Sequence, residues 1–201
     1  MSVADRIEAV IVNFNTCHLL QAAFASLRRH YGDLPVLLID NGSDDGSAAW
    51  VSETERADEH VRAVLLPTNI GHGPALDLGF RCACRPFVFT FDTDSQVYRS
   101  GLLERMLAVL EENDAYATGW LRWVDRGTGV AHHTPGTAPR PSEKFIPYIH
   151  PHAALWRRET YFTLPPFIHH GAPAVANMRG VEQDGLAVLN FPVEEYVHHL
   201  G

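Results

Sequence analysis

Four short apolar runs constrain this chain more than any other feature, because each ends in polar residues and leads into a helical pattern. The runs are Glu8 to Phe14, built on Ala9-Val10-Ile11-Val12, then Val36-Leu37-Leu38-Ile39, Val61 to Leu66, and Phe87 to Phe91. A short apolar run such as Ala9-Val10-Ile11-Val12 is typical of a strand covered on both faces, and the other three read as strands as well. Between the first two, Thr16 can cap a helix whose Leu20, Phe24 and Leu27 share a face, with Arg28, Arg29 and His30 near its C-terminal end. Ser47 can cap a short helix, Gly71 to Arg81 reads as helical, and Ser100 can cap a helix with Leu102, Leu103, Met106 and Leu110 inward. Strands that alternate with helices imply a parallel sheet with right-handed crossovers. The expected fold is α/β, a mostly parallel central sheet flanked by helices.

The second half reads differently. Ala115 to Val124 is expected as one strand, Arg126 to Gly129 as a turn, and His132 to Pro147 as a surface loop rich in Pro, Gly, Thr and Ser. Ala153 to Trp156 and Leu186 to Leu189 are further short strands. A length of 201 residues suits one sizeable domain.

Composition removes several function classes. Asp and Glu number 24 against 16 Lys and Arg, for a net charge of −8. Nucleic-acid binding wants a basic face and is not expected. No apolar run is long enough to span a bilayer, and the N-terminus shows no secretion signal. The three cysteines, Cys17, Cys82 and Cys84, fit neither a disulfide framework nor a zinc knuckle. A cytoplasmic location is expected. The last residues look like strand, so a natural chain extending beyond Gly201 is expected too.

Ligands on parallel sheets bind beyond the carboxyl ends of the strands. Every loop with chemical character here follows a strand: Asn13-Phe14-Asn15, Asp40-Asn41, Pro67 to Gly73, and Asp92-Thr93-Asp94. The last is the most telling. Two carboxylates one residue apart repel each other, and a divalent cation removes that cost. Oxygen ligands suit Mg²⁺ or Mn²⁺, which keep open positions for substrate phosphates.

With these residues in place, the chain resembles the family 2 glycosyltransferases of the GT-A fold. The matching pieces are Ile11-Val12-Asn13-Phe14-Asn15, the block from Leu38 through Asp40-Asn41-Gly42-Ser43 to Ser47, Asn69-Ile70-Gly71 leading to Gly79, Asp92-Thr93-Asp94, and Val197-His198-His199-Leu200-Gly201. The first strand's variant looks most like the branch that includes bacterial rhamnosyltransferases. The resemblance implies one GT-A catalytic domain over 1–201, with 1–95 binding nucleotide and 96–201 binding acceptor. It implies an inverting hexosyl or deoxyhexosyl transferase using Mn²⁺ or Mg²⁺. The donor would be a nucleoside-diphosphate sugar, UDP or dTDP ahead of GDP, and the acceptor a saccharide or small molecule. By the same resemblance, Asp40 accepts from the imide N–H of uracil or thymine, and Asn13 and Asn15 line the nucleotide pocket. Asn69 and Gly71 let the backbone pass close to the nucleotide. Asp94 binds the cation directly, Asp92 contacts the ribose or lies just behind the ion, and His199 completes the metal site.

One piece is missing. Relatives carry a Glu-Asp pair whose Asp is the general base, at the start of a helix that ends in a Gly. That Gly is best matched by Gly185, and counting back reaches His169-His170-Gly171-Ala172-Pro173, with no such pair. Glu182 and Asp184 fall at the far end of that helix. His170 is therefore the candidate base, since histidine titrates near working pH. Elsewhere plainer readings apply. His132, His133, His150 and His152 read as loop or surface histidines, the alternative being contact with acceptor or phosphate. Trp120, Trp123 and Trp156 read as core, and His198 is expected to point away from His199 on a strand. A non-catalytic sugar-nucleotide-binding protein of the same fold is the main rival. A nucleotidyltransferase would want a Gly-rich loop after the first strand, and Asn13 to Thr16 is not one.

Overall fold

In the computed structural model, which describes residues 2–126, 144–168 and 171–200, the four apolar runs become strands. After a one-turn helix α1 (Val3–Arg6), these are β1 (Ile7–Asn13), β2 (Val36–Asp40), β3 (Val61–Leu65) and β4 (Phe87–Phe91). Helices α2 (Cys17–His30), α3 (Ser47–Ala57) and α4 (His72–Cys82) connect them. The rest comprises β5 (Ser95–Val97), α5 (Leu102–Glu112), β6 (Ala117–Gly119), β7 (Leu121–Asp125), β8 (Phe145–Ile149), β9 (Ala153–Arg157), α6 (Arg158–Tyr161), α7 (Val175–Gln183), β10 (Val188–Asn190) and β11 (Val197–His199).

The central sheet runs β10-β6-β9-β4-β1-β2-β3. All its pairings are parallel except those of β9, which lies antiparallel between β4 and β6. Side chains alternate across it. Ala9, Ile11, Val36, Leu38, Phe87 and Phe89 pack on α2, α3 and α5. Val10, Val12, Leu37, Ile39 and Val88 face the other way, under α4 and α7. A Cβ on Gly79 would lie 2.5 Å from Val10 Cγ1, so the glycine lets α4 rest directly on β1.

Several expectations change. Gly46 and Gly101, not Ser47 and Ser100, occupy the cap positions of α3 and α5. Thr16 stands before α2 but makes no capping bond; Asp45 Oδ2 accepts the Cys17 N–H instead, at 2.8 Å. The strand expected over Ala115 to Val124 breaks at Trp120. Its first part joins the central sheet, while β7 pairs antiparallel with β8 in a separate ribbon. Phe145, Ile146 and Pro147, expected as loop, belong to β8. The last expected strand shifts to Val188–Asn190. The turn at 127–129, the rest of that loop as far as 143, and His169 and His170 lie outside the described residues. No helix among the described residues is long and apolar enough to cross a membrane.

Candidate active site

The parallel pairing of β1 with β2 sets Asn13 beside Asp40, both buried at the strand ends. Asn13 Nδ2 donates to Asp40 Oδ1 and to Ser43 Oγ, each at 3.2 Å, and Asp40 Oδ2 accepts the Ser43 N–H at 3.0 Å. Asp40 therefore ties the first two loops together, and each of its oxygens retains a second lone pair. Asn15, at φ 53°, extends the tie: its N–H donates to Ser43 Oγ and its Oδ1 accepts the Asp44 N–H, both at 2.9 Å.

Asn41 carries the construction onward to the third loop. Buried to 2% exposure, it donates from Nδ2 to Asn69 Oδ1 (3.0 Å) and to the Gly71 carbonyl (3.3 Å), and its Oδ1 accepts the Ile70 N–H at 3.0 Å. The second and third loops touch because Gly42 has no side chain. At φ +78°, its Cβ would lie 2.5 Å from the Thr68 backbone.

The fourth loop faces these three. A cleft of about 240 Å³ is lined by Phe14 and Thr16 from the first loop, Asn41 from the second, Asn69 from the third, His72 at the start of α4, and Asp92-Thr93-Asp94. Thr16 Oγ1 donates to Asn13 Oδ1 at 2.8 Å and lies 3.1 Å from Thr93 Oγ1. Of the sequence candidates, Asn69, Asp92 and Asp94 line this cleft, whereas Asn13 and Asp40 brace its wall.

Two strand pairings bring histidines to the carboxylates. β4 against β9 lets Asp92 N–H donate to the His152 carbonyl at 2.8 Å. β5 against β11 sets His199 opposite Ser95, and Leu200 N–H donates to the Asp94 carbonyl at 2.8 Å. His199 Nε2 then lies 3.4 Å from Asp94 Oδ1. His198 faces away and stacks on Tyr98 at 4.2 Å.

The site's electrostatics suit a cation. Burial and the neighbouring Asp94 push the Asp92 carboxyl up to about 7. Asp94 Oδ1 is buried and accepts no hydrogen bond among the described residues, its one close polar neighbour there being His199 Nε2 at 3.4 Å. An orphaned carboxylate oxygen is costly unless something positive meets it, so Asp94 and His199 fit a divalent ion. Among the described residues no three His, Cys, Asp or Glu side chains close around one point. An ion held by these two side chains would keep open coordination positions.

His150 and His152 lie in the short loop between β8 and β9, as the loop reading has it, but His152 is not at the surface. His152 is 3% exposed, and burial pushes it down to about 3 and His150 to about 4. Both are neutral and lie beside His199. Their place beside His199 is not legible locally, because the strand pairings that bring them there span long stretches of chain. Thr16, Asn41, His72 and Thr93 were also missed as site residues, although each sits in or beside a loop already singled out. Trp156 is core, donating from Nε1 to Thr90 Oγ1 at 3.0 Å, while Trp120 is partly exposed beside the histidines. Glu182 is taken up by an ion pair with Arg126.

Comparison with known proteins places this arrangement. The protein is similar in structure to a mannosyltransferase from Pyrobaculum calidifontis in complex with GDP-Man and Mn²⁺, with a TM-score of 0.72 at 16% identity, over 93% of this chain and 55% of that one. It also matches S. aureus TarS 1-349 in complex with UDP-GlcNAc, with a TM-score of 0.64 at 13% identity, over 96% of this chain and 57% of that one. These likenesses bear on the fold, which is GT-A. In sequence it is 27% identical over 130 residues to an uncharacterized glycosyltransferase of Nostoc sp., covering 64% of this chain and 36% of the relative. It is 42% identical over 76 residues to the undecaprenyl-phosphate 4-deoxy-4-formamido-L-arabinose transferase of Klebsiella pneumoniae, covering 37% of this chain and 22% of the relative. The chain thus spans well under half the length of these curated relatives. The profile described as glycosyl transferase family 2 matches residues 8–176, which takes in all four rim loops, and on that match the chain belongs to this family.

Proposed function

We propose that the protein moves a sugar from a nucleoside-diphosphate donor to a hydroxyl of a saccharide or small-molecule acceptor. The observation that carries this reading is Asp94 Oδ1, buried at the cleft where four rim loops meet, with His199 Nε2 3.4 Å away and no hydrogen bond to it among the described residues. Asp94 and His199 hold Mn²⁺ or Mg²⁺, and Asp92 stands beside them toward the ribose. When bound, the ion neutralises charge that develops on the departing diphosphate. Asn41 and Asn69 shape the wall along which the nucleotide lies. Asp40 uses its spare lone pairs for the base imide, which favours UDP or dTDP. Transfer is one inverting displacement, with no covalent enzyme nucleophile, and His170 takes the acceptor's proton.

A thermal-shift screen of UDP-, dTDP- and GDP-sugars, with and without Mn²⁺, tests the reading, because a ligand that binds only the folded state raises its melting point. One donor should raise it only with Mn²⁺, and Asp94→Asn should abolish that metal-dependent part. His170→Ala should keep the shift and lose transfer. No shift from any donor would sink the reading. The missing Glu-Asp pair favours a second reading, a protein that binds the donor without catalysis. Mn²⁺-dependent donor hydrolysis would exclude it.

A further inference from the structure

Three imidazoles meet beside the carboxylate pair, and the proposed function uses only one. His199 sits on a three-residue strand, and no protein group among the described residues hydrogen-bonds its ring. A metal-binding imidazole ordinarily has its second nitrogen held by a partner that fixes tautomer and orientation. The neighbour against this ring is His152, with centroids 4.9 Å apart and planes at 63°.

The tautomers follow from the hydrogen bonds. His150 Nδ1 accepts the backbone N–H of His152 at 3.3 Å, so that nitrogen carries a lone pair. The same atom lies 3.1 Å from His152 Nδ1, which must then be the N–H donor. His152 Nε2 is left with a bare lone pair on a ring that is 3% exposed. Two imidazoles joined by one N–H···N bond have centroids about 5 Å apart, close to the spacing of His152 and His199. Trp120 closes the far side, 5.9 Å from His150 and 5.6 Å from His152. A phenylalanine at 152 would fill this space without burying a polar ring, which costs free energy unless its nitrogens are bonded.

Resting on the reading that a cation sits at Asp94 and His199, we propose that His152, locked by His150, is a positioning residue for His199. Once the ion is bound, a small turn of the two rings lets its Nε2 accept the Nδ1–H of His199. That leaves His199 Nε2, the nitrogen facing Asp94, with its lone pair free for the ion. His152 touches neither substrate nor ion; it selects the tautomer of the ring that does.

Mn²⁺ titration of the full chain with UDP, read from the electron paramagnetic resonance of the free ion, tests this without turnover. His152→Phe keeps the ring's bulk and removes the acceptor, and should weaken Mn²⁺ binding about 10–100-fold with the melting point little changed. His152→Gln, whose amide oxygen reaches toward the position of Nε2, should recover most of that loss. Wild-type affinity in His152→Phe, or equal loss in both variants, overturns the proposal. If neither variant folds, ¹⁵N spectra of the wild-type imidazoles decide: a protonated Nδ1 on His199 supports it and a protonated Nε2 overturns it. A wild type that binds no Mn²⁺ removes the metal site itself, whereas binding that His152→Phe leaves intact removes only this inference.

Discussion

Asn41 organises the rim more than any carboxylate does. One buried amide holds Asn69, Ile70 and Gly71 in place, so the third loop keeps its shape only while Asn41 is present. Asn41→Ala should cost about 1–3 kcal/mol, the usual penalty for leaving buried polar groups unpaired, measurable by urea unfolding. It should also weaken Mn²⁺-dependent donor binding while leaving Mn²⁺ affinity unchanged. In sequence, Asn41 is part of the loop after β2 but has no role of its own beside Asp40. Its side-chain partners lie 28 to 30 residues away, and no local pattern reports them. Asp45 was hidden in the same way. It caps a helix that begins 28 residues earlier, because the first and second loops lie side by side.

Elements built on continuous apolar runs were readable and the shortest ones were not. β1, β2 and β4 are buried along their whole length, so hydrophobicity alone announced them. β5 and β11 have three residues each, too few for any periodicity, yet their pairing delivers His199 to Asp94. β9 was expected as a strand, but its antiparallel place beside β4, which puts His152 behind Asp92, depends on tertiary contact. The seat of α4 on β1 offers a test at this scale. Gly79→Ala inserts a Cβ against Val10 and should cost about 1–3 kcal/mol of stability, the usual price of overpacking. Val10→Ala in the same chain removes the opposing methyl and should recover part of it. Additive losses in urea unfolding would contradict the close contact.

At the scale of the whole molecule, the site leaves a mark on stability in the metal-free chain. Asp92 is held up to about 7 against an ordinary 3.8, so the folded chain keeps a proton that the unfolded chain has released. Its contribution is full below pH 3.8 and declines as pH rises toward 7. His150 and His152 are held down to about 4 and 3 from 6.5, so the unfolded chain takes up two protons that the folded chain refuses. Their contribution is full above pH 6.5 and is lost as pH falls. Two histidines outweigh one carboxyl between about pH 4 and 6.5, so stability should rise with pH across that window. Asp92→Asn removes the opposing trend and should steepen the rise. Urea midpoints at several pH values would show it, and an unchanged slope in Asp92→Asn would refute the raised carboxyl.

The amino-acid sequence by itself determined the alternation of strand and helix, the parallel half of the sheet, and a rim of polar loops that includes Asp92-Thr93-Asp94. Those properties depend on neighbours within a few residues, where burial, turn chemistry and charge repulsion act directly along the chain. Only the tertiary structure decided that Asp40 and Asn13 brace the cleft while Asn41 lines it, that Asp45 caps α2, and that His150 and His152 lie beside His199. Each of those relations joins residues from different strands or loops. Their energy is gained only when the sheet closes, so no stretch of sequence carries it alone.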